Sequence, residues 1–392
     1  MNRRARCLLV FLYVSLVGAG CGTPLGARQL VRVTSSGTNQ RTLITHVDVF
    51  TAQEGAATLR DQDVVLEGDR IVSITPAGDS SPEGVAVIDG RGRTLLPGFI
   101  DAHVHLGLMG DAPWARVKPD LHHALGAHLY AGVTTVFDVG GDVAVTRGLR
   151  DEVEAGGVPG PRIFLTEGPF TGPGSHPVPL GKELVGFPIA LLIDLFVDQA
   201  ANPAEAATLV EGRVAKGVDY VKITFDDMPP GTPHMREEVL RAALEATHRA
   251  GHKAIVHTTA AEDIVRAAEL GADLIAHGPY RDVVTEEQAA RLAATGVPVV
   301  LTFTGFDAMA DAVEGRYAPH PMVRETTPDT LLSPVTGQGG LQMRDYPTLV
   351  ELAAAAAAGR PRWATSVQRL VAAQVPLLVG TDSALPGAYA GG

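Results

Sequence analysis

A regular alternation of apolar strands and helical segments, beginning near Pro97, is the feature that most limits how this chain can fold. Alternation of this kind predicts parallel βαβ units. Eight strands can be counted, which predicts a closed (β/α)₈ barrel, the TIM barrel of the α/β class. The predicted strands are Gly98–His105, Thr134–Val139, Arg162–Glu167, Tyr220–Phe225, Lys253–Thr258, Leu274–His277, Val297–Phe303 and Pro376–Thr381.

The segment before the barrel has a different rhythm. Residues 41–97 contain short alternating stretches separated by turn residues such as Glu67-Gly68-Asp69, a pattern typical of short β-strands. We therefore expect residues 41–97 to form the N-terminal part of a small β domain, and residues 98–392 to form the barrel. An insertion at about 305–362 separates strands seven and eight and includes an Ala-rich helix, Leu352–Ala358.

Side chains that bind metals occur at or near the ends of five predicted strands. Active sites of TIM barrels lie at the carboxyl ends of the strands. Residues i and i+2 of a strand point to the same side, so His103 and His105 can both face the barrel mouth. Their imidazoles suit Zn²⁺, and a carboxylate can complete the ligand set. The other candidates are Lys222, His257, His277 and Asp382.

Lys222 is unusual because a lysine pointing into an apolar barrel is costly unless it is paired or modified. Burial lowers the pKa of a lysine, which lets its amine react with CO₂ to give an anionic carbamate that can bridge two metals. Two ions about 3.5–4 Å apart would activate a bridging hydroxide and polarise a scissile carbonyl. Asp382 could bind one ion and act as the catalytic group that takes the proton from this water.

The stretch Leu95-Leu96-Pro97-Gly98-Phe99-Ile100-Asp101-Ala102-His103-Val104-His105 resembles the opening motif of the amidohydrolase superfamily. The segments Ala131–Val136, Val221-Lys222-Ile223, Ala276-His277-Gly278 and Gly380-Thr381-Asp382 resemble its imidazolonepropionase-like branch, which also includes prolidase-like dipeptidases. The resemblance covers residues 43 to 386, with the motifs in the family's order.

This resemblance implies a TIM barrel with a small β-sandwich domain and a metal-dependent hydrolase of C–N bonds in amides or cyclic amides. It also implies two divalent metal ions, with zinc favoured, and a carboxylated Lys222. The implied metal ligands are His103, His105, Lys222, His257, His277 and Asp382. Family members continue beyond strand eight, so the resemblance implies that the last barrel helix and part of the small domain are incomplete.

Two residues outside the ligand set are candidate substrate contacts. His176 lies in the long loop after strand three, and Tyr280 follows His277 closely. Loops at this end of a barrel form the substrate pocket. His176 and Tyr280 are therefore predicted to contact the substrate.

The N-terminus resembles a bacterial lipoprotein signal. Arg3, Arg4 and Arg6 precede an apolar run, and small residues lead up to Cys21. We expect a signal peptide over residues 1–20, a lipid on Cys21 and a polar tether over 21–40. The protein would then be exported and lipid-anchored in the bacterial cell envelope, on the periplasmic face of the outer membrane.

The formal net charge of −12 argues against nucleic acid as a partner, because phosphate binding needs clustered Lys and Arg. The expected partner is a small-molecule substrate, and a homo-oligomer stays possible. Two alternative functions remain open. One is a Xaa-Pro or Xaa-Arg dipeptidase, in which Arg162, Arg281 or Arg316 could hold a substrate terminus. The other is a non-catalytic periplasmic binding lipoprotein.

Overall fold

The computed structural model describes residues 30–31, 41–78, 84–108, 120–185, 189–229, 231–337, 345–383 and 388–389. The predicted signal peptide, the lipidation site Cys21 and nearly all of the predicted tether lie outside the described residues. The chain divides into two compact units at Phe99 and Ile100. One unit is a small β domain, and the other carries the eight barrel strands.

The small unit is a five-stranded sheet. Its strands are β1 (Arg41–Val49), β2 (Leu59–Glu67), β3 (Arg70–Pro76), β4 (Ala86–Asp89) and β5 (Thr94–Leu95). The order is β3-β2-β1-β4, and β5 also pairs with β1. Strands β1, β2 and β3 are antiparallel neighbours, whereas β4 and β5 run parallel to β1. Alternate side chains of these strands form a small core at Val47, Val49 and Val64.

All eight predicted barrel strands are present, each within a few residues of its predicted bounds. They are β6 (Phe99–Val104), β7 (Val133–Asp138), β8 (Arg162–Leu165), β9 (Tyr220–Thr224), β10 (Lys253–His257), β11 (Leu274–Ala276), β12 (Val299–Leu301) and β13 (Leu377–Val379). Strands β9 to β13 form one parallel sheet, and β6 to β8 form a second.

Two isolated bridges close these sheets into a barrel. Phe170, just past β8, bridges Ile223 of β9, and the Thr224 amide donates to the Phe170 carbonyl at 3.0 Å. On the other side Val104 of β6 bridges Ser383, just past β13. Each of the eight strands therefore has a neighbour on both sides, and the predicted TIM barrel fold is confirmed.

Helices alternate with the strands as the βαβ pattern requires. Those of the barrel are α1 (Leu121–Tyr130), α2 (Val143–Glu154), α3 (Val178–Val185), α4 (Ile193–Phe196), α5 (Pro203–Ala215), α6 (Glu237–Arg249), α7 (Ala261–Glu269) and α8 (Glu286–Thr295). The residues at and next to the helix ends determine where these helices begin and end. For example, α8 begins with a capping box between Thr285 and Gln288 and ends at Gly296, whose φ of 69° suits glycine.

The insertion before β13 is helical and packs at the barrel mouth. It contains α9 (Phe303–Val313), α10 (Pro321–Thr326), α11 (Asp329–Val335) and α12 (Pro347–Ala372). The predicted Ala-rich helix Leu352–Ala358 is thus the middle of a 26-residue helix. Buried side chains of these helices, among them Phe306, Leu349 and Trp363, form an apolar cluster that also includes Met228, Tyr280 and Tyr389.

Candidate active site

The barrel brings all six predicted metal ligands to one cavity at the carboxyl end of its strands. His103 lies in β6 and His105 directly after it, Lys222 lies in β9, and His257 ends β10. His277 follows β11 and Asp382 follows β13. Because these strands are parallel and adjacent around the ring, their ends place the six side chains around the wall of one cavity.

Asp382 lies at the centre of the cluster. One of its carboxylate oxygens, Oδ1, lies 3.2 Å from His105 Nε2 and 3.4 Å from His103 Nε2, and the other, Oδ2, lies 3.7 Å from His277 Nδ1. Nitrogen or oxygen atoms of His103, His277 and Asp382 all lie within 4.8 Å of one another. The His257 ring centroid is 4.4 Å from that of His277. The arrangement is compact enough for metal binding.

Two of these residues have left-handed backbone geometry. The φ angle is 79° at His277 and 55° at Asp382, a region that residues other than glycine adopt rarely. His277 comes immediately after β11, and Asp382 lies three residues past the end of β13. Such strain is found at functional sites when the surrounding structure holds it in place.

Burial has a strong effect on Lys222. The side chain is 2% exposed and its Nζ has no hydrogen-bond partner among the described residues. Burial lowers the pKa of Lys222 to about 7, although the charge of Asp382 partly opposes this shift. A substantial fraction of the amine is therefore neutral and nucleophilic near neutral pH.

The histidines are also held in their neutral, metal-binding form. Burial lowers the pKa of His277 to about 3, and it lowers the pKa values of His103 and His257 well below the ordinary value. Burial raises the pKa of Asp382, but the neighbouring His105, His277 and Lys222 together outweigh burial and lower it overall. Asp382 is therefore ionised.

A layer of polar residues behind the ligands fixes their positions. Thr302 Oγ1 lies 2.7 Å from His277 Nδ1. Asp101 accepts hydrogen bonds from the backbone amide of His103 at 3.1 Å and from the amide and hydroxyl of Thr381 at 3.0 and 2.6 Å. Asp101 thus ties the segment that carries His103 to the segment that carries Asp382.

The cavity has a volume of about 210 Å³. His176 lies in its wall with its ring stacked on His257 at a centroid distance of 4.9 Å. Tyr280 is placed differently from the prediction. It is fully buried, stacks on Phe306 at 4.1 Å and is not among the described residues that line the cavity. Phe306, on which it stacks, does line the cavity.

The wall consists of ligands, a few neutral polar groups and many apolar side chains. The described lining residues are His103, His105, Val139, Gly140, Pro169, His176, Pro177, Leu180, Lys222, Thr224, Met228, His257, His277, Phe306, Met309, Leu349, Leu352 and Asp382. Sequence reasoning missed Thr302, Asp101 as a support, and the apolar residues of the insertion. Asp101 could have been found, because it stands two residues before His103 in the first strand.

The donor set fits divalent metal ions. Several buried nitrogens, including both ring nitrogens of His103, Lys222 Nζ and His257 Nε2, have no hydrogen-bond partner among the described residues. Buried polar atoms without partners are costly, and a metal would satisfy them. Imidazole and carboxylate groups are ligands that zinc and similar ions prefer.

Comparison with known proteins agrees with this chemistry. The model of the family described as "Amidohydrolase family" matches residues 94–322, which is more than half of the chain. The chain belongs to the amidohydrolase family. This amidohydrolase is a metal-dependent hydrolase that acts on C–N bonds, and the predicted superfamily is confirmed.

Individual relatives are more distant. An uncharacterized protein of Mycobacterium tuberculosis is 26% identical over 287 residues, covering 65% of this chain and 68% of that protein. An imidazolonepropionase of Arthrobacter is 36% identical over 97 residues, or 24% of each chain. A solved Xaa-Pro dipeptidase with bound methionine has the same fold, with a TM-score of 0.67 and 23% identity over 90% of this chain and 81% of that one.

Proposed function

We propose that this amidohydrolase cleaves its C–N bond with two divalent metal ions, zinc being favoured, held on a carboxylated Lys222. The buried amine of Lys222 carries this proposal, because it has no hydrogen-bond partner among the described residues and shares its cavity with several histidines. In the modification the amine nitrogen forms a bond to the carbon of CO₂ and releases one proton. The resulting anion would place two oxygens at the position of this buried amine.

The proposed ligands are the six residues that line the cavity floor: His103, His105, Lys222, His257, His277 and Asp382. When bound, the ions would lower the pKa of a water and polarise the scissile carbonyl. Asp382, ionised and 3.2 Å from His105 Nε2, takes the proton of the attacking water and delivers it to the leaving nitrogen. His176 contacts the substrate from the cavity wall.

The test measures metal content and the lysine modification together. Elemental analysis of the protein purified without chelator should give about two metals per chain. Lys222→Met has an apolar side chain of similar length that cannot be carboxylated. About one metal or none should therefore remain in this variant, and its activity should fall by at least ~100-fold. Labelled bicarbonate should give a carbamate signal by NMR in the wild type only.

Lys253→Met is the matched control. Lys253 is the exposed first residue of β10, at the opposite end of the barrel from the cavity, so this variant should bind metal and turn over as the wild type does. Full metal content and activity in Lys222→Met would refute the bridging role of Lys222. It would leave a hydrolase whose site is assembled by the histidines and Asp382 alone.

We also propose that the protein acts in the cell envelope, attached by a lipid on Cys21. The Arg-rich start, the apolar run and the small residues before Cys21 support this location. Among the described residues no helix is both long and apolar enough to cross a membrane. A Cys21→Ser variant should move from the membrane fraction to the soluble fraction, and membrane retention of that variant would contradict the anchor.

A further inference from the structure

Most of the cavity wall outside the metal ligands is apolar. Helix α9 contributes Phe306 and Met309, and helix α12 contributes Leu349 and Leu352. All four side chains are buried and belong to the apolar cluster formed by the helices of the insertion. Because they are held by that cluster, their surface toward the cavity is a fixed feature of the site.

Charge is confined to the metal-binding side. Apart from the histidines, the only described lining residues with ionisable side chains are Lys222 and Asp382. Both belong to the proposed ligand set. The polar groups left for a substrate are His176 and Thr224.

The arginines that could hold a substrate carboxylate are engaged elsewhere. Arg281 forms ion pairs with Asp226 at 3.3 Å and with Asp227 at 2.7 Å. Arg162 is the first residue of β8, at the end of the barrel opposite the cavity. Arg316 pairs with Asp311 and Glu314. None of the three is among the described residues of the cavity wall.

From this distribution of charge we propose, as a refinement of the proposed hydrolase function, that the substrate is a small uncharged amide with apolar groups on both sides of the scissile bond. A free carboxylate or ammonium group would lose its water against the apolar wall without gaining a partner. The volume of about 210 Å³ is below the range typical of drug-sized ligands, which favours a small substrate.

Four amides that share one scissile bond test this proposal. Hexanoyl-pyrrolidine is uncharged, hexanoyl-proline adds a carboxylate, norleucyl-pyrrolidine adds an ammonium group, and norleucyl-proline carries both. The zinc-loaded protein is assayed with each, and any compound that is not hydrolysed is measured as a ligand by calorimetry. We expect the uncharged amide to exceed norleucyl-proline by about 100-fold in kcat/KM or in affinity.

A pair of variants locates the effect at the wall. Met309→Lys places an ammonium group on the cavity wall and should reduce the preference for hexanoyl-pyrrolidine over hexanoyl-proline by about tenfold. Met322 lies in α10 and does not line the described cavity, so Met322→Lys should leave the preference unchanged. Metal content of both variants verifies that the site is intact.

Each outcome is informative about one of the two proposals. A kcat/KM for norleucyl-proline that equals or exceeds the value for hexanoyl-pyrrolidine would overturn the uncharged substrate class and favour a dipeptidase. The hydrolase function would then stand. If none of the four amides is hydrolysed but the uncharged compound still binds most tightly, the preference of the cavity for uncharged amides stands. The proposed hydrolysis of such amides is then refuted. Equal affinity for all four compounds would overturn the substrate class.

Discussion

At the scale of single residues, Thr302 shows how a group outside the ligand set can control it. Thr302 is fully buried and its Oγ1 lies 2.7 Å from His277 Nδ1, which leaves Nε2 as the ring atom for a metal. Thr302→Val keeps the shape but removes this hydrogen bond. We expect metal affinity to fall by about 10- to 100-fold, measured by competition with a chelator.

Thr302→Ser keeps the hydroxyl and serves as the matched control for that experiment. It should retain metal affinity close to that of the wild type, with at most a small loss of stability from the missing methyl group. Equal affinities in the Val and Ser variants would show that packing around Thr302, and not its hydroxyl, holds His277 in place.

The candidate ligands were accessible to sequence reasoning because each stands at or near a strand end. The spacing of His103 and His105 is itself a strand signal, since i and i+2 share a face. Thr302 could not be found in this way, because its role depends on a partner 25 residues away. The left-handed backbone of His277 and Asp382 could not be predicted from the sequence either, because neither residue type favours that geometry strongly enough.

At the scale of elements, the barrel strands were predicted closely and the insertion was not. Each strand is an apolar run bounded by turn residues, which is local information. Helix α12 runs from Pro347 to Ala372, although Pro361 lies inside it and normally argues for a helix end. Its continuation depends on packing of Trp363 and the apolar cluster at the barrel mouth, which are long-range contacts.

Gly359 lies where α12 packs tightly against the chain beyond β11. A Cβ at this position would overlap the Tyr280 carbonyl oxygen and would lie 2.9 Å from Trp363 Nε1. Helix propensity favours alanine over glycine by about 1 kcal/mol, but overpacking against backbone costs about 1–3 kcal/mol. The clash is severe, so we expect Gly359→Ala to lower the free energy of unfolding, measured by urea denaturation.

Gly212 provides the opposite case within α5. A Cβ there would meet nothing within 4 Å, so Gly212→Ala should raise the free energy of unfolding by about 0.5–1 kcal/mol. The two substitutions are chemically identical and differ only in their surroundings. A stabilising effect of both would show that α12 can shift away from Tyr280 at little cost.

At the scale of the whole molecule, the site makes the metal-free protein sensitive to acid. His103, His176, His257 and His277 are buried, and burial holds the pKa of each below the ordinary value. Below a pH of about 6.5 the unfolded chain binds protons that the folded chain does not. The free energy of unfolding must therefore fall as the pH falls from about 6.5 toward the folded-state pKa values.

His176 allows this linkage to be measured at one residue. Its pKa of about 4 in the folded protein and about 6.5 in the unfolded chain predict a loss of roughly 2 kcal/mol between about pH 7.5 and about pH 5. His176→Gln cannot titrate, so the metal-free variant should lose roughly 2 kcal/mol less than the wild type over this interval in urea denaturation. The difference between the two proteins isolates His176, because all the other titratable groups are common to both. An unchanged pH dependence in His176→Gln would mean that the pKa of His176 is similar in the folded and unfolded chains. Water would then reach the ring in the folded protein, so the cavity would open at low pH before the barrel unfolds.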